Sequence, residues 1–456
     1  MSNIGKKHLT IAPSNSTSDN SYSSSNNQSV LRFDVGSSGM MIGQDVRLEF
    51  EIEFFKTDGA TNIVMGDDYN LDPYLMFNSV IKSISWQSRR FNEKILERVN
   101  NYPLLCKHLI SSLSSKEDLE THQFHESGCK GIDNNALTNK NIKFNGLVKS
   151  ARKEIAETST SVVLKLFTGI TLSDPIDLDL TQGLTCEIVL ANASEVIKGA
   201  TALAGTGGSY IIRNPKLHIP ILLKDDATLQ AERSQPTQVL SFLSYSNIFD
   251  TLDSTDATIV HRLGLKNVIN VLISACPTKY LQNYSEYSQG FYNAGIQKLT
   301  FFRNSQQYPL TYVLETDAIR NVKEQDQATN YPELVWNYLS AFRPTSEINK
   351  TSLTPANISG GVQVLDAGAL ANVSVRKANV ERQGLSAFAL GVSFDESSNF
   401  GIDTTNDNIS YNIQSTLEDP DDNRLTTSYA LNFFYLNRND IVINQQDGIV
   451  SMSVSN

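Results

Sequence analysis

Three clusters in this sequence carry side chains that could do chemistry. His122, His125 and Cys129 lie together in His-Gln-Phe-His-Glu-Ser-Gly-Cys. Zinc accepts imidazole and thiolate ligands, and Cys106 or Glu126 could supply a fourth. The spacing fits no strong finger pattern, and a polar loop with incidental histidines accounts for it. Gly205-Thr206-Gly207-Gly208-Ser209 has the look of a phosphate cradle. It lacks the Gly-Lys-Ser/Thr ending and opens no helix, so it reads as a flexible loop. Asp419, Asp421 and Asp422 offer hard oxygen ligands for calcium, but without an EF-hand pattern they read as a solvated acidic turn. There is no Gly-x-Ser-x-Gly elbow, no His-Glu-x-x-His and no nucleophile beside a recognisable base. No catalytic residue, cofactor site or metal site is expected, and the chain does not read as an enzyme.

The scaffold behind these loops reads as β. Asp45-Val46-Arg47-Leu48-Glu49-Phe50-Glu51-Ile52-Glu53-Phe54 alternates charged and apolar residues with period two. That is a strand with one wet and one buried face. The alternation accounts for Glu49, Glu51 and Glu53 as one solvated row. Thr57-Asp58-Gly59 then turns the chain. Further strands are predicted over 80–86, 162–167, 176–180, 184–190, 217–221, 267–275, 291–302, 312–314, 362–365, 373–375, 385–394, 431–435 and 440–444. Many short strands, turn residues between them and rare helices argue for β-sandwiches. Two polar stretches, 114–145 and 395–428, read as excursions from them. Residues 14–29 are almost all Ser, Asn, Thr, Asp, Gln and Tyr, which cannot bury enough apolar area to order themselves, so residues 1–29 are expected to form a flexible N-terminal arm.

Composition narrows the function classes. The chain has 456 residues, of which 40 % are hydrophobic, enough for two sandwiches of ~200 residues with real cores. No apolar run approaches the ~20 residues that span a bilayer. The opening Met1-Ser2-Asn3 shows no apolar signal region. Cys106, Cys129, Cys186 and Cys276 are scattered, which suits free thiols in a reducing compartment. The net charge is −11, and Lys6-Lys7-His8 is the one basic hint, so strong direct nucleic-acid binding is not expected.

The chain also repeats itself. Asn101-Tyr102-Pro103-Leu104-Leu105 returns as Asn330-Tyr331-Pro332-Glu333-Leu334. Each copy reads as a turn entering a short helix, with proline in the first helical turn. Val80-Ile81-Lys82-Ser83-Ile84 precedes the first copy and Gly295-Ile296-Gln297-Lys298-Leu299 the second. Gln182-Gly183-Leu184 and then Tyr210, Arg213 and Asn214 follow the first. Gln383-Gly384-Leu385 and then Tyr435, Arg438 and Asn439 follow the second. Echoes kept in one order point to an internal duplication. The charged segment 224–236 places the boundary near 230, giving units of 30–229 and 230–456.

With an Asn/Ser-rich arm leading into an alternating strand, Ser79-Val80-Ile81-Lys82-Ser83-Ile84 leading into an Asn-Tyr-Pro helix, and the pattern recurring, the chain resembles the double jelly-roll major capsid proteins of adenovirus-like, virophage-like and Polinton-like DNA viruses. The resemblance covers nearly the whole chain but rests on pattern. It implies two tandem jelly-roll β-sandwiches with short helices in loops, and a homotrimer of pseudo-sixfold outline tiling an icosahedral shell. It further implies neighbouring capsomers, penton and minor capsid proteins as partners, and residence in the virion after assembly inside the host cell. The excursions 114–145 and 395–428 would then be outward loops or intersubunit arms. The alternative is a tandem β-sandwich carbohydrate-binding or viral fibre protein. That would need an exposed aromatic platform, and Trp86 and Trp336 are few and sit in apolar frames.

Overall fold

The structure, a computed structural model, describes residues 5–17, 19–24, 28–63, 69–72, 75–91, 94–114, 159–199, 208–281, 291–304, 306–313, 332–342, 388–394, 401–419, 425–444 and 450–451. Two antiparallel sandwiches follow one another along the chain. The first is built from β1 (Lys6–Ile11), β2 (Val30–Val35), β3 (Arg47–Phe55), β4 (Ile81–Ser88), β5 (Lys94–Val99), β6 (Ser159–Lys165), β7 (Leu184–Leu190) and β8 (Ser209–Leu222). One sheet runs β1-β8-β3-β6 and the other β2-β7-β4-β5.

The second is built from β9 (Thr237–Leu252), β10 (Asp256–His261), β11 (Val268–Pro277), β12 (Ile296–Arg303), β13 (Gln306–Val313), β14 (Leu390–Ser393), β15 (Ile409–Ser415) and β16 (Tyr429–Asn444). Its sheets run β9-β16-β11-β14 and β10-β15-β12-β13. Each strand of the first sandwich therefore has a counterpart eight strands later, in the same place. This is the jelly-roll order, twice.

Four helices matter to the argument. α1 (Tyr102–Leu113) lies between β5 and β6, α2 (Gly169–Leu172) follows β6, α3 (Asp226–Arg233) joins the sandwiches, and α4 (Pro332–Ser340) lies between β13 and β14. α1 and α4 thus occupy equivalent places in the order of elements, though α1 packs on β4 and α4 on β14. Proline enters the first turn of α1, where its missing N–H costs nothing. Asn101 precedes it at φ 52°, a left-handed conformation that asparagine tolerates. Asp225 caps α3 by accepting a hydrogen bond from the Thr228 N–H at 2.7 Å.

β3 shows how side chains decide the layers. Leu48, Phe50, Ile52 and Phe54 are buried while Arg47, Glu49, Glu51 and Glu53 stay half-exposed. β11 is different: every residue from Val268 to Pro277 is buried. Val271, Ile273 and Ala275 face the core of the second sandwich, whereas Ile269 and Leu272 join the core that runs into the first. A strand buried on both sides reads as a continuous apolar run, as Val-Ile-Asn-Val-Leu-Ile does here. Among the described residues no helix is long and apolar enough to cross a membrane.

Several expectations change. The arm expected over 1–29 contributes β1, whose six residues pair along β8 from Lys6↔Leu222 to Ile11↔Leu217, and Ser21–Tyr22 pairs further along the same strand. The apolar residues Leu9, Ile11 and Tyr22 secure it within an otherwise polar stretch. The strand expected from Asp45 starts at Arg47, because Gly43–Asp45 form a 3-10 turn. In 176–180 only Ile176–Asp177 is extended; Asp177 then caps the helical turn Leu178–Thr181. The excursion over 395–428 contains β15, where Ile409, Tyr411 and Ile413 alternate inward among polar neighbours. Residues 431–435 and 440–444 belong to one strand, β16. The strands expected over 362–365 and 373–375, nearly all of the 114–145 excursion, Tyr331 and Gln383 lie outside the described residues.

Candidate functional site

His122, His125, Glu126 and Cys129 lie outside the described residues, as do Gly205, Thr206, Gly207, Asp421 and Asp422. Of the residues weighed as their partners, Cys106 is buried in α1 and Asp419 forms an ion pair with Lys279. No group of three metal-ligating side chains comes together among the described residues. Trp86 is fully buried, so it offers no face to a sugar.

Polar side chains converge instead on the seam between the sandwiches. α1 is the element that puts them there. Eleven of its residues, Tyr102 to Ser112, are buried. A helix apolar all round would suit that place, but α1 carries Lys107 and His108 at its centre, and each has found a partner. The Lys107 ammonium, with no exposure, meets the Asp72 carboxylate at 3.2 Å and lies 5.1 Å from the centre of the Phe291 ring. Removing one member of such a pair would strand the other charge in a medium of low dielectric. His108 Nδ1 lies 2.7 Å from the Tyr338 hydroxyl of α4, and its ring packs 4.4 Å from Phe291 and 5.9 Å from Phe434 of β16. Burial, with the Lys107 charge beside it, pulls the His108 pKa down to about 3, so the ring is neutral at physiological pH.

The Asn-Tyr-Pro stretch ties the seam from the other end. The Asn101 amide donates to Asn432 Oδ1 at 2.9 Å and to Asn247 Oδ1 at 3.4 Å, reaching two strands of the second sandwich. The Tyr102 hydroxyl accepts the Phe167 N–H at 3.1 Å within the first. Nearby, the Glu97 carboxylate of β5 accepts three backbone N–H groups: Gly169 at 2.7 Å and Ile170 at 2.9 Å, both of α2, and Tyr245 of β9 at 2.8 Å. Burial raises the Glu97 pKa to about 7 against the opposing pull of those donors. The backbone at Gly169 runs so close to β9 that a Cβ there would sit 2.5 Å from Ser244 Cα.

A second polar knot lies inside the second sandwich. His261 Nδ1 is 2.7 Å from the Tyr435 hydroxyl, which in turn hydrogen-bonds Tyr411, and His261 Nε2 is 3.6 Å from Asp250. The outer face of the sheet holding β3 is charged: Arg213 pairs with Glu53, and both Lys216 and His218 reach Glu49. These groups are paired with one another within the fold. The arrangement joins two sandwiches into one block. Sequence reasoning singled out Asn101 and Tyr102 through the repeat but passed over Glu97, Lys107 and His108. The signal for the last two was present: a charge and an imidazole at the centre of a helix whose neighbours are nearly all apolar.

No protein-family model and no curated protein sequence matches the chain. Solved structures do. A chain of the Sputnik virophage structure superposes with a TM-score of 0.58 at 12 % identity, covering 99 % of this chain and 89 % of that one. The mavirus major capsid protein gives 0.52 at 14 %, covering 98 % and 90 %. The Faustovirus major capsid protein gives 0.52 at 8 %, covering 96 % and 90 %. At such identities the likeness is one of fold, and that fold is the double jelly roll.

Proposed function

We propose that this chain is a major capsid protein: a structural, non-enzymatic subunit that trimerises into pseudo-hexameric capsomers tiling an icosahedral virus shell. The observation that carries the reading is the repeated strand order, two jelly rolls of one topology, shared over nearly the whole length of viral capsid proteins. Two similar sandwiches per copy, in three copies, present six similar edges to a lattice. The buried seam supports this, because a shell tile must hold its two halves in fixed relation. The chain divides near residue 230, at α3, into a first jelly roll that begins with β1 and a second that begins with β9. Its partners are two further copies, neighbouring capsomers, and penton and minor capsid proteins, and it resides in the virion. Sedimentation and electron micrographs of the purified chain test the reading. Trimers of hexagonal outline, or closed shells, are expected. A chain that stays monomeric at all concentrations sinks it.

A further inference from the structure

We propose that Lys107 and Asp72 condense within the folded chain to an amide, a covalent tie between α1 and the segment that precedes β4. The proposal goes beyond the capsid reading and does not depend on it. Lys107 Nζ has no exposure and lies 3.2 Å from Asp72 Oδ2, on a side chain 3 % exposed. Holding an ammonium and a carboxylate away from water is costly, and a medium of low dielectric favours the neutral form of each. A proton passed from Lys107 to Asp72 removes both charges at once. It leaves a desolvated amine, which is a nucleophile, beside the carboxylic acid that it attacks.

The rest of the site suits the reaction. Asp72 Oδ1 accepts the Leu75 N–H at 3.1 Å, and the Asp72 backbone carbonyl accepts the Met76 N–H at 2.8 Å. The carboxyl group is thus fixed, with one oxygen on a backbone donor and the other toward the amine. Nζ adds to Cγ, and the negative charge that develops on Oδ1 is met by the Leu75 N–H. The Cγ–Oδ2 bond then breaks. Oδ2 leaves as water with two of the three protons that began on the ammonium, and Nζ keeps the third as the amide N–H. Nothing is oxidised and no co-reactant is consumed. Phe291, whose ring centre lies 5.1 Å from Nζ, walls the pair, and α1 is buried from Tyr102 to Ser112. The two groups are therefore held within reach of each other, and bulk water is kept from the product. The tie joins residues 35 apart in the chain and constrains the unfolded state as a disulfide does.

Intact-mass spectrometry of the purified, folded full-length chain tests this. The wild type should weigh one water less than its sequence, and a protease digest should hold a branched peptide that joins Lys107 to Asp72. Lys107→Arg keeps a positive charge without the primary amine, so it should weigh its full sequence mass. A folded wild type at full sequence mass overturns the proposal. So does a missing water that persists in Lys107→Arg, or one that the digest places at other residues. Should Lys107→Arg fail to fold, the presence or absence of the branched peptide in the wild type decides alone.

Discussion

His108 and Tyr338 meet at 2.7 Å across the seam, one from each of the two helices that hold the same place in successive sandwiches. The repeat therefore touches itself. The helix that follows the fifth strand of one unit lies against the corresponding helix of the next, and the first of them is buried along nearly its whole length.

That position makes His108 an acid sensor of the joint. Its pKa falls from 6.5 to about 3 on folding. A depressed value means that its contribution to stability is complete above pH 6.5 and is lost as the pH falls toward 3. Thermal melts between pH 7 and pH 4 should show a decline that is shallower in His108→Gln, which cannot gain a proton. Equal slopes in the two proteins would place the acid sensitivity elsewhere.

Glu97 has the opposite sign. Its folded pKa is raised from 4.5 to about 7, so its contribution is full below pH 4.5 and is lost as the pH rises through 7. Glu97→Ala would leave the N–H groups of Gly169, Ile170 and Tyr245 without their acceptor, a loss of about 2–4 kcal/mol. Glu97→Gln keeps an acceptor but sets an NH2 group against one of the donors, which should cost about 1 kcal/mol and remove the neutral-pH slope. Urea midpoints of the three proteins at pH 5.5 and 8 measure both effects.

Gly169 tests how tightly the sandwiches fit. A Cβ at this position would lie 2.5 Å from Ser244 Cα and 2.7 Å from the Leu243 carbonyl oxygen, both backbone atoms of β9 that cannot swing aside. Gly169→Ala should force the seam apart and destabilise by about 1–3 kcal/mol, as overpacking does. Calorimetry is the direct measurement, and a mutant melting at the wild-type temperature would show that the seam yields freely.

Much of the architecture was legible because the side chains alternate where sheets have one wet face: β3 and β7 were visible within two residues at their ends. The Asn-Tyr-Pro echo also located both helices and the duplication. β1, β9 and β15 were passed over for one reason. Their polar residues are mostly Ser, Thr, Asn, Gln, Lys and Asp, which suggest loops by composition, while the inward alternation that makes them strands involves few side chains, only Leu9 and Ile11 in β1 and Ile409, Tyr411 and Ile413 in β15. The seam was illegible for another reason. Glu97 on its own is one more charged residue of an exposed-looking strand, and what buries it is a chain segment 148 residues away.

β1 leads to a prediction opposite to that for a floppy tail. Deleting residues 5–11 would remove a six-residue strand with Leu9 and Ile11 against the core and bare the edge of β8. An uncovered edge strand is a template for other chains. The truncated protein should melt several degrees lower and aggregate at concentrations where the full chain stays clear, both seen by light scattering during a thermal ramp. An unchanged melting temperature would show β1 to be dispensable.

The last prediction separates ring from hydroxyl at Tyr102. The side chain has no exposed surface, and burial holds its phenol pKa well above the usual value, so the neutral O–H is the species present at all ordinary pH. Tyr102→Ala removes an aromatic ring from the core beneath α1 and should cost about 3–5 kcal/mol. That is a large share of the ~5–15 kcal/mol that holds a domain together. Tyr102→Phe keeps the ring and leaves the Phe167 N–H without its acceptor, for a loss of about 1–3 kcal/mol. Because Asn101 crosses to Asn432 and Asn247, Asn101→Ala should instead loosen the joint while each sandwich keeps its own core. Equilibrium unfolding followed by circular dichroism ranks the three. The expected order of damage is Tyr102→Ala, then Tyr102→Phe, with Asn101→Ala broadening the transition as the two sandwiches begin to melt apart. A folded Tyr102→Ala protein of normal stability would refute the packing role and leave the Asn-Tyr-Pro stretch as a surface feature.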